Sequence, residues 1–207
     1  MNLSIVNYGL GNLYSLANAF DFIGQHVDIT NDSTKLHGSD ALILPGVGAF
    51  ADGMARLKDI GLDTAIREFA DLGKKILGIR LGMQLFMDSS KEFGDTEGLG
   101  LIPGKVKSFH NMFGFDHTCK VPHVGWNNLI AEQENPILRN IDKMEMYFVH
   151  SYVVETASQE DTAAWASYGN VRFCAVINRG NIFGCQFHPE KSSESGLRVI
   201  KNFLEIV

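Results

Sequence analysis

The chain has 207 residues, 45% of them hydrophobic and 20% charged, a composition that fits one globular domain with an ample core and excludes disordered and fibrous classes. Its formal charge is −6, from 18 basic and 24 acidic side chains, and the scattered basic residues argue against a nucleic-acid footprint or a membrane-surface patch. The start, MNLSIVNYG, shows no basic leader, no apolar run approaches the ~18 residues of a membrane span, and three cysteines without paired spacing are expected to stay reduced, so a cytoplasmic protein is expected.

In chain order, residues 3–7 read as a strand, and residues 8–12 (YGLGN) as a glycine-punctuated loop. Leu13, Leu16, Ala17, Phe20 and Ile23 then fall at helical spacing up to Gly24. Residues 26–30 read as a second strand. Residues 40–44 form an apolar run stopped by Pro45, as in a strand buried on both faces, and the loop PGVGAF follows. A helix over 62–72 and a strand over 75–79 complete a βαβ rhythm that predicts a parallel sheet.

After Gly98-Leu99-Gly100 the pattern predicts antiparallel strands over 105–109, 146–155, 162–168, 173–178 and 181–187, the last two joined by a tight Arg179-Gly180 turn. A helix over about 193–204 closes the chain, with Leu197, Ile200, Lys201 and Leu204 on the inward face and the lysine snorkelling. With no repeat or linker, the expectation is a single α/β domain over 1–207 with a β-rich insertion near the sheet edge.

Three short segments carry chemistry. Gly78-Ile79-Arg80-Leu81-Gly82 has the spacing of a nucleophile elbow, in which flanking glycines let a strand turn sharply into a helix and force the central side chain into a cleft. The peptide N–H after the apex then points where an oxyanion would form. His188-Pro189-Glu190 follows a strand, and in an extended segment residues two apart share a face, which suits a base oriented by a carboxylate. Pro45-Gly46-Val47-Gly48 follows a buried strand, where ligands bind in open α/β sheets. Each pattern alone also fits an ordinary turn or polar surface; together they weigh far more.

The set PGVGAF, GIxLGMQ, KVPHVGWN, YFVHSY and FHPEKS resembles the class I (triad) glutamine amidotransferases, and among them the glutaminase subunits of imidazole glycerol phosphate synthases. The likeness runs from VNYGLGN to the final helix. It implies a flavodoxin-like three-layer sandwich around a mainly parallel sheet, and a thiolate that attacks glutamine to give a glutamyl thioester and ammonia. By this resemblance Arg80 stands at the nucleophile position, His188 is the base and Glu190 its orienting carboxylate. Leu81 and Gly48 would form the oxyanion hole, and Gln84, Ser151 and Tyr152 the glutamine site. The partner would be a (β/α)₈-barrel cyclase, docked through Lys120, Pro122, His123, Trp126 and Asn127, with no cofactor and no metal.

Arginine is permanently protonated near neutral pH and offers no lone pair, so the residue at position 80 cannot form the thioester. It is expected to fill the pocket beside His188 or to pair with Glu190. Cys185 lies at an odd offset from His188 and reads as a core thiol, like Cys174, with Cys119 in a loop. Because His188, Glu190, Gln84 and PGVG all remain, an isolated change is favoured over long decay. Two other readings stay open. One is a subunit serving a related barrel in surface-sugar amidation, prompted by Asn7 and the segment HNMFGFDH; the other is a metal site from His110, His117, Cys119 and His123.

Overall fold

The structure, a computed structural model, describes residues 1–141 and 144–207. Its first half alternates β1 (Leu3–Val6), α1 (Leu13–Phe22), β2 (Asp28–Thr30), α2 (Ser33–His37), β3 (Ala41–Leu44), α3 (Phe50–Asp59), α4 (Leu62–Asp71), β4 (Lys75–Ile79) and α5 (Leu81–Leu85). The four strands pair in parallel in the order β2-β1-β3-β4. Every residue of β1 and β3 is buried, as strands covered on both faces require. Helix α1 and the final helix α6 (Ser193–Leu204) cover one face through Phe20, Val199 and Phe203. Helices α2, α3 and α4 cover the other through Leu36, Phe50, Leu57, Ile66 and Phe69, which gives three layers.

Two of these helices depart from the sequence reading. α2 is a five-residue helix nucleated by the Asp32 side chain, which accepts from the Thr34 and Lys35 N–H groups at 2.8 and 3.4 Å. α3 starts at Phe50, inside the segment expected to be loop, and buries Phe50, Gly53, Met54 and Leu57 at helical spacing. In α6 the inward face is Gly196, Val199, Ile200 and Phe203 with Asn202; Leu197 and Leu204 sit at its edge and Lys201 is exposed. The i, i+3, i+4, i+7 stripe is thus rotated by about one residue from the expected one.

The second half supplies β5 (Ser89–Ser90), β6 (Thr96–Glu97), β7 (Gly104–Ser108), β8 (His123–Asn128), β9 (Ile130–Ala131), β10 (Glu145–His150), β11 (Tyr152–Thr156), β12 (Thr162–Tyr168), β13 (Val171–Arg179) and β14 (Ile182–Cys185). Among the described residues the main sheet continues past β4 through β14, β13, β11, β7 and β5 to β6, with β12 and β9 joined beside β13. The expected single strand over 146–155 is instead broken at Ser151. Its first half, β10, pairs with β8 in a separate two-stranded ribbon, and its second half, β11, pairs with β7 and β13. β8 occupies part of the segment expected to be a docking loop.

β14 runs antiparallel to β13 but parallel to β4, so β3, β4 and β14 lie side by side with the same direction. No helix of the described residues is long and apolar enough to cross a membrane.

Candidate functional site

The chain leaves β3 at Pro45, β4 at Arg80 and β14 at Gln186, so three loops meet at one edge of the sheet, outside the carboxyl ends of adjacent parallel strands. Arg80 N–H donates to the Cys185 carbonyl at 2.8 Å, which fixes the start of the turn. The residue then adopts φ 56°, ψ −113°, a region that costs an ordinary side chain on the order of 1–3 kcal/mol. Packing enforces the turn. A Cβ on Gly82 would lie 1.7 Å from the Leu44 carbonyl oxygen, and one on Gly78 would lie 2.4 Å from the Phe86 ring. The flanking glycines therefore let α5 press against β3 and β4, and the apex side chain is lifted out of the sheet.

The Arg80 side chain lies half-buried and donates from Nη2 to the Val149 carbonyl at 2.7 Å. Its Nε is buried without a partner, and burial lowers the guanidinium pKa, with Glu190 and Tyr147 acting in the opposite direction. The direct pair with Glu190, one of the two expected arrangements, does not form: the arginine turns to the Val149 carbonyl, while Glu190 Oε1 bonds His188 and its Oε2 is buried and unpartnered.

Arg80 lines a cleft of about 460 Å³ together with Gly48, Leu81, Gln84, Ser151 and Tyr152. It also lines a second cavity, of about 20 Å³, with His188 and Glu190. His188 does not line the larger cleft, and the wall shared by the two cavities is formed by Gly46, Val47 and Arg80.

His188 Nδ1 and Glu190 Oε1 are 2.7 Å apart, with side chains 7% and 6% exposed. The carboxylate accepts from Nδ1–H, which in the neutral ring places the lone pair on Nε2. The segment is only partly extended as expected: His188 keeps an extended backbone (φ −92°, ψ 98°), and Pro189–Lys191 turn into a 3₁₀ helix directly after it. Three contacts clamp the histidine to its surroundings. Its N–H donates to the Tyr147 carbonyl at 2.9 Å, and its carbonyl accepts from Ser192 Oγ at 2.5 Å. The same hydroxyl accepts from the Tyr147 N–H at 2.9 Å.

Gln84 donates from Nε2 to Gln186 Oε1 at 3.0 Å and to the Tyr152 carbonyl at 3.3 Å, tying α5 to β11 beneath the cleft. In the 45–48 loop, Tyr8 donates to the Pro45 carbonyl at 2.7 Å, and a Cβ on Gly46 would lie 2.2 Å from that hydroxyl. Gly48 has open space around it but sits at φ 108°, so backbone conformation alone demands glycine there. Sequence reasoning missed Glu92. This buried carboxyl lines the cleft and accepts from the Phe50 N–H at 2.7 Å, and burial raises its pKa. Within KEFGD it reads as surface charge, and only the tertiary fold turns it inward.

Of the residues expected at a docking face, Lys120, Pro122 and Trp126 are exposed, and Asn127 donates to the Ser167 carbonyl at 2.7 Å. Pro122 also lines the cleft. His123 is a correction: it is buried, stacked on Tyr168 at a 4.2 Å centroid distance, with Phe148 on another side. Strand alternation in β8 turns it inward while Val124 and Trp126 face out. Its Nδ1 lies 3.1 Å from His150 Nε2, and His150 Nδ1 lies 2.9 Å from the Tyr152 carbonyl. His150 must therefore donate to Tyr152 and accept from His123, and both rings are neutral.

The metal reading gains nothing from this geometry. His110 and His117 stack on each other, His123 turns to His150, and no three histidine, cysteine or acidic side chains converge among the described residues. Burial pushes the pKa of His123 down to about 4 and that of His150 down to about 3. The unfolded chain protonates these rings below pH ~6.5 while the fold does not, so stability falls on acidification from about pH 6.5 to 4. We expect the two rings together to cost about 5 kcal/mol over that window, read as a falling urea midpoint; a midpoint flat across it would contradict the assignment.

Residues 4–207 match the model of the family described as glutamine amidotransferase class-I. The chain is 46% identical to imidazole glycerol phosphate synthase subunit HisH of Sulfurimonas denitrificans over 202 residues, which cover 97% of this chain and 96% of the relative. It is 45% identical to the subunit of the same name from Moorella thermoacetica over 206 residues, 99% of this chain and 95% of the relative. Among solved structures, a glutamine amidotransferase superimposes with TM-score 0.75 at 18% identity, covering 98% of this chain and 97% of its own. PurLQS from Thermotoga maritima does so with TM-score 0.73 at 21% identity, covering 99% and 98%. At such identities these two report the fold alone.

Proposed function

The chain belongs to the class I glutamine amidotransferase family, and on that premise we propose that it is the glutaminase-type subunit of an imidazole glycerol phosphate synthase whose own glutamine chemistry Arg80 has silenced. The observation that carries this reading is the meeting of the Arg80 elbow, the 45–48 loop and the His188–Glu190 pair at one sheet edge. In an active site of this kind His188 Nε2 takes the proton of a nucleophile at position 80, and Glu190 holds the ring in the required tautomer. Leu81 and Gly48 N–H groups face the developing oxyanion, while Gln84, Ser151 and Tyr152 flank glutamine. To these we add Glu92, whose carboxyl suits the α-ammonium of an amino acid.

Arg80 cannot serve as that nucleophile, since its guanidinium is a donor without a usable lone pair. Nor do the remaining thiols replace it. Cys185 is fully buried and its Sγ approaches the Phe187 carbonyl at 3.7 Å, with its pKa driven well above the thiol range by burial. Burial pushes Cys174 up to about 12, and Cys119 is half-buried against the core. The test is direct. With glutamine and the barrel cyclase present, ammonia release should stay at background, while added ammonium salts should still support product formation by the complex; glutamine-dependent ammonia above background would refute the reading.

Docking is assigned to the outward side of β8, where Trp126 is 50% and Val124 56% exposed. A half-exposed tryptophan resting against Tyr147 is the kind of anchor that dominates an interface. Trp126→Ala should weaken binding to the barrel subunit by about 10- to 100-fold in a titration, with the melting temperature of the isolated chain nearly unchanged. An unaltered affinity would move the interface elsewhere.

A further inference from the structure

We infer that the cleft of this chain selects a ligand ending in a carboxylate, glutamate in preference to glutamine, because Arg80 sets a cation with free N–H donors and no direct ion pair at its elbow end. The inference rests on the glutamine-site reading above and deepens it by naming the ligand. A carboxamide needs an acceptor for its NH₂ as well as donors for its oxygen; a carboxylate needs donors only.

At the elbow end of the cleft the balance has moved toward donors. Guanidinium brings five N–H groups, and among the described residues the hydrogen bond it makes engages the Val149 carbonyl at 2.7 Å, an acceptor on the cleft wall that would otherwise be open to an amide N–H. The other acceptor suited to that role, His188 Nε2, belongs to a histidine that lines the separate 20 Å³ cavity behind the arginine.

Charge points the same way. Arg80 is half-buried, its Nε has no partner, and Glu190, close enough to act on its charge, bonds to His188 instead of to it. A partly desolvated cation whose N–H groups are not taken up by a direct ion pair favours an anionic ligand through charge-assisted hydrogen bonds, which are about twice as strong as neutral ones. Glu92, also on the cleft wall, leaves a place for the ammonium of an α-amino acid, so a dicarboxylic amino acid fits the charge pattern better than a simple anion.

Calorimetric titration of the full chain with L-glutamate and, separately, with L-glutamine tests the assignment. Glutamate should bind at least about tenfold more tightly than glutamine. Arg80→Gln, which removes the charge and keeps a polar side chain, should abolish that preference, and Arg80→Cys should turn it toward glutamine. Should Arg80→Gln fail to fold by thermal melting, Arg80→Met reads the same difference. Equal or tighter binding of glutamine by the unaltered chain, no detectable glutamate binding, or a glutamate preference that survives loss of the charge would overturn the proposal. Its failure is separable from that of the glutaminase reading, which is judged by ammonia release from Arg80→Cys with the barrel cyclase and not by binding to the unaltered chain.

Discussion

Arg80→Cys should raise ammonia release from glutamine, measured with the barrel cyclase present, by about 10,000-fold or more over the unaltered chain. Removing the nucleophile from a preorganised hydrolytic site costs on the order of 10⁶ in turnover, so restoring it to an otherwise intact site should recover most of that factor. The remaining parts are in place. His188 keeps its Nδ1 contact with Glu190 at 2.7 Å, Gln84 is held by Gln186 and Tyr152, and the elbow keeps φ 56° through the packing of Gly78 and Gly82. Replacing the long guanidinium by a thiol also removes one of the three residues that line both the 460 Å³ cleft and the 20 Å³ cavity at His188, which should bring base and substrate closer together. A gain below about tenfold would mean that more than the apex residue has been lost.

Gly82→Ala should unfold the protein or destabilise it by more than about 4 kcal/mol, the largest effect we expect of any single methyl. The added Cβ would sit 1.7 Å from the Leu44 carbonyl oxygen, and that atom is backbone in the fully buried strand β3, with no side-chain rotation to relieve the clash. Either α5 lifts from the sheet or β3 shifts, and both carry the apex with them. Gly48→Ala is the informative contrast. Nothing lies within 4 Å of its Cβ, and the cost there is the strain of φ 108°, about 1–3 kcal/mol, so its urea midpoint should fall far less than that of Gly82→Ala. Comparable midpoints for the two variants would show that conformation and not contact sets the glycine requirement.

The parts of the molecule that were legible in sequence are those governed by local rules. The βαβ rhythm shows in runs such as residues 41–44, where burial on both faces leaves only apolar residues. The elbow glycines and the His188–Glu190 pair are readable because their spacing is the geometry. What stayed hidden depends on distant chain. The break at Ser151 arises because β10 and β11 pair with different partners, β8 and β7, and nothing in YFVHSYVVET marks the change of sheet. His123 carries a polar ring yet faces inward, since His150 satisfies its nitrogen within the aromatic core. Glu92 turns into the cleft only because the Phe50 N–H at the start of α3 waits there for an acceptor. The choice of Arg80 between His188 and Glu190 was likewise decided by a third group, the Val149 carbonyl.

The strained turn at residue 80 is held by its glycine neighbours and by the Cys185 carbonyl, contacts that do not depend on which side chain stands at the apex. Integrity of the fold and chemistry at the apex are therefore inherited separately. Cysteine and arginine codons differ by a single base in TGT or TGC against CGT or CGC. On the reading proposed above, one nucleotide suffices to silence a catalyst while leaving a subunit that still folds and still presents the same surface to a partner.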